Sequence, residues 1–250
     1  MKIYSLVQAR GGSKKVPKKN IRLLGGYPLI AYSIAASKLC RDIQRTIVST
    51  DSQEIADIAK KYGAEVPFLR PAEFAQDHST DLDVFVHAIN WLEEEGDLPD
   101  LIVQLRPTTP LREPSVMSEA IEKIKANPEA TSLRSAHQVG QPPQKMFQVN
   151  TAGFWTGFFP DDPRSEYYNL PRQVFPNAYC PNGYVDVIRS DFIKNNRGHF
   201  SGPKILAFVT PFVPDIDQME DFRHAEYILQ KQPNRLFEYL SKNFPKEKNI

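Results

Sequence analysis

The sequence predicts an α/β protein with a three-layer α/β/α, Rossmann-like nucleotide-binding core and a mostly parallel sheet. Three observations lead there. Short apolar runs alternate with segments at helical spacing. The first run, Ile3 to Ala9, opens directly into a loop of glycines and cations. Runs such as LIVQL and ILAFV fall far short of the roughly 20 residues a membrane helix needs, so they read as buried strands. Strands separated by helices of this length need right-handed crossovers, which cover the sheet on both faces and gather ligands at the carboxyl ends of the strands.

A helix from about Pro28 to Lys38 follows the first strand and loop. Strand Arg45 to Thr50 runs into Asp51, which is expected to cap the next helix, with Glu54 completing a capping box and the helix ending near Gly63. AEVPFL reads as a strand. LDVFVHAINWLEEEG then sets Leu82, Phe85, Val86, Ile89 and Leu92 on one helical face, ahead of strand Leu101 to Leu105. From about Gln138 to Pro181 the periodicity fades into Pro, Gln, Asn and aromatic residues. The chain is therefore expected to be one domain over 1–250, with 138–181 as an inserted excursion. So many Phe, Tyr and Trp side chains expose too much apolar area when solvated, and a second subunit is the favoured cover, which predicts a homodimer. The strands YVDVI and ILAFV follow, then helices near Met219 to Gln230 and Arg235 to Lys242.

Thirty-one Lys plus Arg against thirty Asp plus Glu leave a net charge of +1, so no global field draws this chain to nucleic acid or to a membrane surface. An anionic ligand must be met by local basic clusters. Two cysteines make no disulfide framework, and the start MKIYSLVQARGG lacks a long apolar stretch, so the cytoplasm is the expected compartment.

The clearest such cluster is QARGGSKKVPKKN, where two glycines allow close backbone approach and Arg10, Lys14, Lys15, Lys18 and Lys19 can neutralise phosphates. It is neither a Walker loop nor a dinucleotide fingerprint, which removes the main support for an ATPase or a dehydrogenase. Far along the chain, VPDIDQMED offers Asp215 and Asp217 one residue apart, and alternation would turn both carboxylates to one side. That pair suits magnesium; the competing use is a helix cap by Asp217 or Asp221. In LRPTTPLR, prolines fix a turn while Arg106, Thr108, Thr109 and Arg112 offer donors. Gln104 lies in an apolar run, where a buried amide needs a partner, either a sugar group or another core polar group.

Taken together and in order, ARGGSKKVPKKN, IVSTDSQEIADIAKKYGAEV, LRPAEFAQD, LRPTTPLR, LPRQVFPNAYCPNG and DIDQMEDFRHAE resemble the acylneuraminate cytidylyltransferase family, the synthetases of CMP-sialic acid and related nonulosonic acids. The resemblance runs from residue 3 to about residue 230. It implies an α/β/α core with a small dimerisation and sugar-binding excursion, and a reaction in which CTP and a nonulosonic acid give a CMP-sugar and pyrophosphate with Mg2+. By motif, Arg10, Ser13 and Lys19 would hold the CTP phosphates and Asn20 would lie near the nucleotide. Arg70, Ser79 and Thr80 would border the ribose and cytosine; Gln104, Lys145 and Arg172 would contact the sugar acid, and Asn182 and Gly183 would line the cleft. Asp215 and Asp217 match the metal pair, with Arg10, Lys19 and Asp217 in the catalytic roles. The chain departs from the pattern at DHSTDLD, and at SLRSAHQVGQPPQK, where Arg134 and Gln144 would retune the sugar pocket. The rival readings are a same-fold enzyme using another nucleotide or acceptor, such as a 3-deoxy-octulosonate-type acid or a sugar phosphate, and a nucleotide-binding protein without turnover.

Overall fold

In a computed structural model, which describes residues 1–247, the apolar runs form a six-stranded sheet with helices on both faces. The strands are β1 (Ile3–Gln8), β2 (Leu23–Leu24), β3 (Tyr27–Pro28), β4 (Arg45–Ser49), β5 (Leu101–Leu105), β6 (Ser132–Gln138), β7 (Phe147–Val149), β8 (Trp155–Gly157), β9 (Tyr179–Arg189) and β10 (Ile205–Val209). The helices are α1 (Leu29–Leu39), α2 (Gln53–Lys61), α3 (Asp81–Glu94), α4 (Pro114–Lys125), α5 (Ser190–Asn195), α6 (Met219–Lys231) and α7 (Arg235–Asn243). The main sheet runs β10-β6-β9-β5-β1-β4, and β9 alone is antiparallel to its neighbours. The expected mostly parallel α/β/α architecture is therefore present.

The two faces bury different sets of side chains. Val7, Val103, Leu105, Leu133 and Val187 pack with α1, α2, α4 and the C-terminal helices, whereas Tyr4, Leu6, Ile47, Ile102 and Ile188 pack under α3 and α5. Helix α3 starts where Thr80 Oγ1 accepts from the Asp83 amide while the Asp83 carboxylate accepts from the Thr80 amide at 2.7 Å, a capping box that fixes its entry beside the sheet.

Three local expectations differ from the structure. AEVPFL makes one parallel bridge, Ile47 to Glu65, instead of a strand, because Pro67 has no amide to extend a ladder along β4. Helix α2 is capped by Ser52, whose Oγ accepts from the Ile55 amide at 3.4 Å, while Asp51 turns away to accept from the Gly11 amide at 2.8 Å. The strand read as YVDVI begins earlier, at Tyr179, because its leading residues pair with the end of β6 after a register shift between Arg134 and Ala136. Residues 139–178 thus leave from and return to one pair of adjacent strands, and they carry the β7–β8 hairpin.

Away from the carboxyl ends, the sheet is tied by Asp97, which accepts from Lys2 Nζ at 2.7 Å, from Tyr4 Oη at 2.6 Å and from Arg45. Hydrogen bonds from Lys2, then Tyr4, hold its carboxyl well below the usual carboxylate range. A depressed folded pKa contributes stability that is fully present above about pH 4 and is lost as the pH falls below that value. The urea midpoint of the wild-type protein is expected to drop more steeply than that of Asp97→Asn between about pH 5 and 3; parallel pH profiles would show that the network contributes nothing.

Candidate active site

The ends of β1 and β5, with the segment from Arg70 to the start of α3, border a cleft of about 460 Å³, and the basic loop after β1 forms one wall. That loop is held by its own side chains. Asn20 Nδ2 donates to the Arg10 carbonyl at 2.9 Å, closing the turn, and the Gly11 amide is fastened to Asp51. A Cβ on Gly11 would lie 3.3 Å from Ser52 Cβ, so the glycine permits the close approach of loop and α2. Lys18 sits in the left-handed region at φ 52° and pairs with Glu54 at 2.7 Å, which turns the chain so that the next residue, Lys19, faces inward.

Lys19 then spans the chain. Its Nζ donates to the Ile216 carbonyl at 2.9 Å and lies 3.2 Å from Asp217 Oδ1, with Lys15 Nζ at 3.8 Å from the other carboxylate oxygen. Buried Ile216 donates its amide to the Thr108 carbonyl at 2.7 Å, so the acidic segment is pinned between LRPTTPLR and the basic loop. The capping role falls to Asp221, which accepts from the amides of Asp217 and Gln218 at 2.8 and 2.9 Å and leaves the Asp217 carboxylate in the cleft.

Arg10, Ser13, Lys19, Asn20, Arg70, Ser79, Thr80 and Asp217 all line this one cleft. Arg70 is buried, donates to the Ser49 and Phe74 carbonyls, and has its pKa lowered by that burial. Beneath it His87 packs between the Phe68 and Phe74 rings, and burial, followed by the Arg70 charge, pushes its pKa down. Gln104 reaches the cleft through Gln8, donating from Nε2 to Gln8 Oε1 at 2.9 Å. Asn182 is buried with its Nδ2 on Thr210 Oγ1 at 2.7 Å. Gly183 adopts φ +62°, and a Cβ there would stand 3.0 Å from Cδ of the cleft-lining Arg106.

Other assignments lie apart from the cleft. Lys145 donates to the Leu170 carbonyl at 2.7 Å and Arg172 to the Gly140 carbonyl at 3.3 Å, both within the 139–178 segment. Asp215 is exposed and is not among the cleft-lining residues, although its charge acts on Arg112. Arg112, whose donors the sequence left open to structural use, is fully buried. It donates to the carbonyls of Tyr184, Arg106 and Gly183 and to Ser33 Oγ, and burial pushes its pKa down to about 10. The loop proline and Thr109, which donates to the Asn182 carbonyl, turn it inward.

Sequence reasoning passed over Gln8, Asp77 and the pairing of Asp81. Asp77 stands 3.0 Å from Arg10 and also pairs with Lys14, and Asp81 pairs with Arg106, so carboxylates face the cleft's cations. Gln8 carried the same signal as Gln104, an amide in a buried strand. Among the described residues no group of three or more His, Cys, Asp or Glu is placed to hold a metal. Magnesium needs only one or two carboxylates when phosphates supply the remaining oxygens, and the exposed Asp217 carboxylate meets that requirement.

The cytidylyltransferase family model matches residues 4–152, which include the basic loop and the Arg70 and LRPTTPLR segments. The chain belongs to the cytidylyltransferase family. It is a nucleotidyltransferase, and it is 39% identical over 236 residues to the CMP-N,N'-diacetyllegionaminic acid synthase of Legionella pneumophila, covering 92% of this chain and 97% of that one. It is 34% identical over 236 residues to a pseudaminic acid cytidylyltransferase of Campylobacter jejuni, covering 91% and 96%. In fold it resembles a CMP:2-keto-3-deoxy-manno-octonic acid synthetase solved with CTP, at a TM-score of 0.70 and 15% identity, covering 92% of this chain and 99% of that one.

Gly183→Ala is expected to lower stability in urea by about 1–2 kcal/mol, the cost of placing a Cβ in the left-handed region, and to displace Arg106 from the cleft. An unchanged midpoint would show that the position tolerates a side chain.

Proposed function

We propose that this cytidylyltransferase couples CTP to a sialic-acid-like nonulosonic acid, giving the CMP-sugar and pyrophosphate. The observation that carries the reading is the convergence of Lys19, Lys15 and Asp217 at 3.2–3.8 Å in a cleft that also holds Arg10 and Ser13. The names of the relatives, a CMP-diacetyllegionaminic acid synthase and a pseudaminic acid cytidylyltransferase, support the class of acceptor.

In this reading the anomeric hydroxyl of the sugar acid attacks the α-phosphorus of CTP in line, and the bond to pyrophosphate breaks. Arg10, Lys19 and Ser13 orient the β- and γ-phosphates and stabilise the charge that develops on the leaving group. Asn20 acts by keeping the loop closed on Arg10. Arg70, Ser79 and Thr80 flank the nucleoside, and Gln104, with Asn182 and Gly183 behind Arg106, forms the acceptor side. Asp217 would hold Mg2+, which when bound would neutralise phosphate charge and lower the pKa of the attacking hydroxyl. Arg172 and Lys145, which lie outside this cleft within one chain, would meet the acceptor's carboxylate from a second copy, and a guanidinium offers that carboxylate a bidentate fork.

We further propose a homodimer built on the excursion, where Phe154 and Trp155 are 68% and 71% exposed, an area that a second copy would cover. Cys40 and Cys180 are both free, which suits a reducing cytoplasm. No helix among the described residues is long and apolar enough to cross a membrane.

Asp217→Ala is expected to reduce CTP- and acceptor-dependent pyrophosphate release by at least about a thousandfold while the thermal midpoint stays near that of the wild type, because the side chain is exposed. Release at the wild-type rate would refute its role. Arg172→Ala should raise KM for the sugar acid by roughly tenfold or more and leave KM for CTP in place; an effect confined to CTP would assign Arg172 to the other substrate.

A further inference from the structure

The polar floor of the cleft does not end at Gln104. Leu6, Gln104, Asp186 and Arg134 stand opposite one another on β1, β5, β9 and β6, and opposed residues share one face of a sheet. Elsewhere this face is apolar and covered by α3. Across three adjacent strands it turns polar, beside the cleft-lining Gln8. Gln8 Nε2 and Gln104 Oε1 are buried there with no hydrogen-bond partner among the described residues. The charges that act on Asp186 are those of Arg134, Arg106 and Asp81, and the last two line the cleft.

Asp186 is a costly residue to keep at this place. Its side chain is 7% exposed and accepts from the Ser135 amide and hydroxyl at 3.0 and 3.4 Å. Arg134 Nε lies 3.9 Å away, too far for a good hydrogen bond. Burial pushes the Asp186 carboxyl up, which marks the charge as under-compensated within the chain itself. An ion pair so loosely made gives little net stability against apolar side chains of the same volume, so stability does not account for it. Arg134 is 43% exposed, and Asp186 is its one ion-pair neighbour among the described residues.

We infer that Arg134, braced by Asp186, determines acceptor specificity by binding an acylamino substituent at the end of the sugar acid remote from the reacting carbon. This rests on the proposed reaction. The chemistry selects the substituent. Arg134 is donor-only and Asp186 acceptor-only, and an amide presents a C=O to the first and an N–H to the second. The pair carries no net charge, so it suits a neutral group better than the acceptor's carboxylate. Arg134 stands two strands beyond Gln104, about 10 Å, which exceeds one sugar ring and matches a ring with its side chain. Asp186 acts through Arg134 as a positioning residue as well as through its own oxygens.

The test uses the full chain with CTP, magnesium and two nonulosonic acids that differ only in acylamino against hydroxyl at that end. Arg134→Met is the main variant, because it keeps the stem at a half-exposed site. It is expected to raise KM for the acylamino acceptor at least about tenfold with kcat nearly unchanged, and to change KM for CTP and for the hydroxyl analogue by less than about twofold. Arg134→Lys should recover part of the loss, since it restores the charge without the planar fork. Equal rises for both acceptors would show a structural role and overturn the inference, as would no change for either, or a rise for CTP. Wild-type turnover of neither acceptor would sink the proposed function itself, and the inference with it.

Discussion

A fully buried guanidinium, that of Arg112, is the constraint on which the cleft depends. Taking a charge out of water costs several kcal/mol unless its donors are met. Here they are met by neutral acceptors: the carbonyls of Arg106, Gly183 and Tyr184 and the Ser33 hydroxyl. Those acceptors come from α1, from the turn after β5 and from β9, so one side chain fixes three elements relative to one another. Arg106 is thereby held by its backbone while its side chain remains in the cleft. Gly183 must approach so closely that no Cβ fits comfortably. The turn fixed in this way also carries the Thr108 carbonyl that receives Ile216, and hence the placement of Asp217. Rigidity at the rear of the cleft sets positions at its mouth.

At the mouth, cations are paired rather than free. Arg10 and Lys14 share Asp77, Lys15 and Lys19 share Asp217, and Arg106 pairs with Asp81. These pairs are mostly exposed, so each is worth little and is easily exchanged. A triphosphate offers more charge and more acceptor oxygens than Asp77, and so in the proposed reaction would replace it at Arg10 and Lys14 at small cost. Asp217 differs. Its partner Lys19 is largely shielded and keeps the Ile216 carbonyl as a second acceptor, so Asp217 can turn to a new partner without leaving Lys19 unsatisfied. A near-neutral chain thus presents a local anion site without a long-range field that would attract every polyanion.

Much of this was legible in the sequence because the signals were local or repeated. Strand and helix periods gave the sheet and its covering helices, and the run of Gly, Arg and Lys after β1 gave the basic wall of the cleft. What was not legible depended on partners far along the chain. Arg112 reads like any other cation in a loop; the acceptors that hold it inward include the carbonyls of residues 183 and 184, some 70 positions away. Asp51 and Ser52 are both competent caps, and the choice between them was decided by the Gly11 amide competing for Asp51. The antiparallel direction of β9 follows from the excursion beginning and ending at one end of the sheet, a fact of topology that an apolar run does not encode. Lys145 and Arg172 were placed by motif alone, and within one chain they bond the excursion to itself.

The two sheet faces differ in what they bury. One face is covered by α1, α2 and α4 with the C-terminal helices beyond them, and its positions on β5 and β9, Val103, Leu105 and Val187, stay apolar. The other carries α3 and the short α5, and Gln104 and Asp186 stand where apolar residues would pack. A buried polar row is tolerated only where the cover is thin enough for something polar to reach it, and α3 begins at Asp81, itself in the cleft. Gln104 Oε1 is already buried there without a partner, and a helix continuing N-terminally over this row would cover it further. The capping box at Thr80 fixes where α3 begins, at the edge of the cleft that Thr80 itself lines.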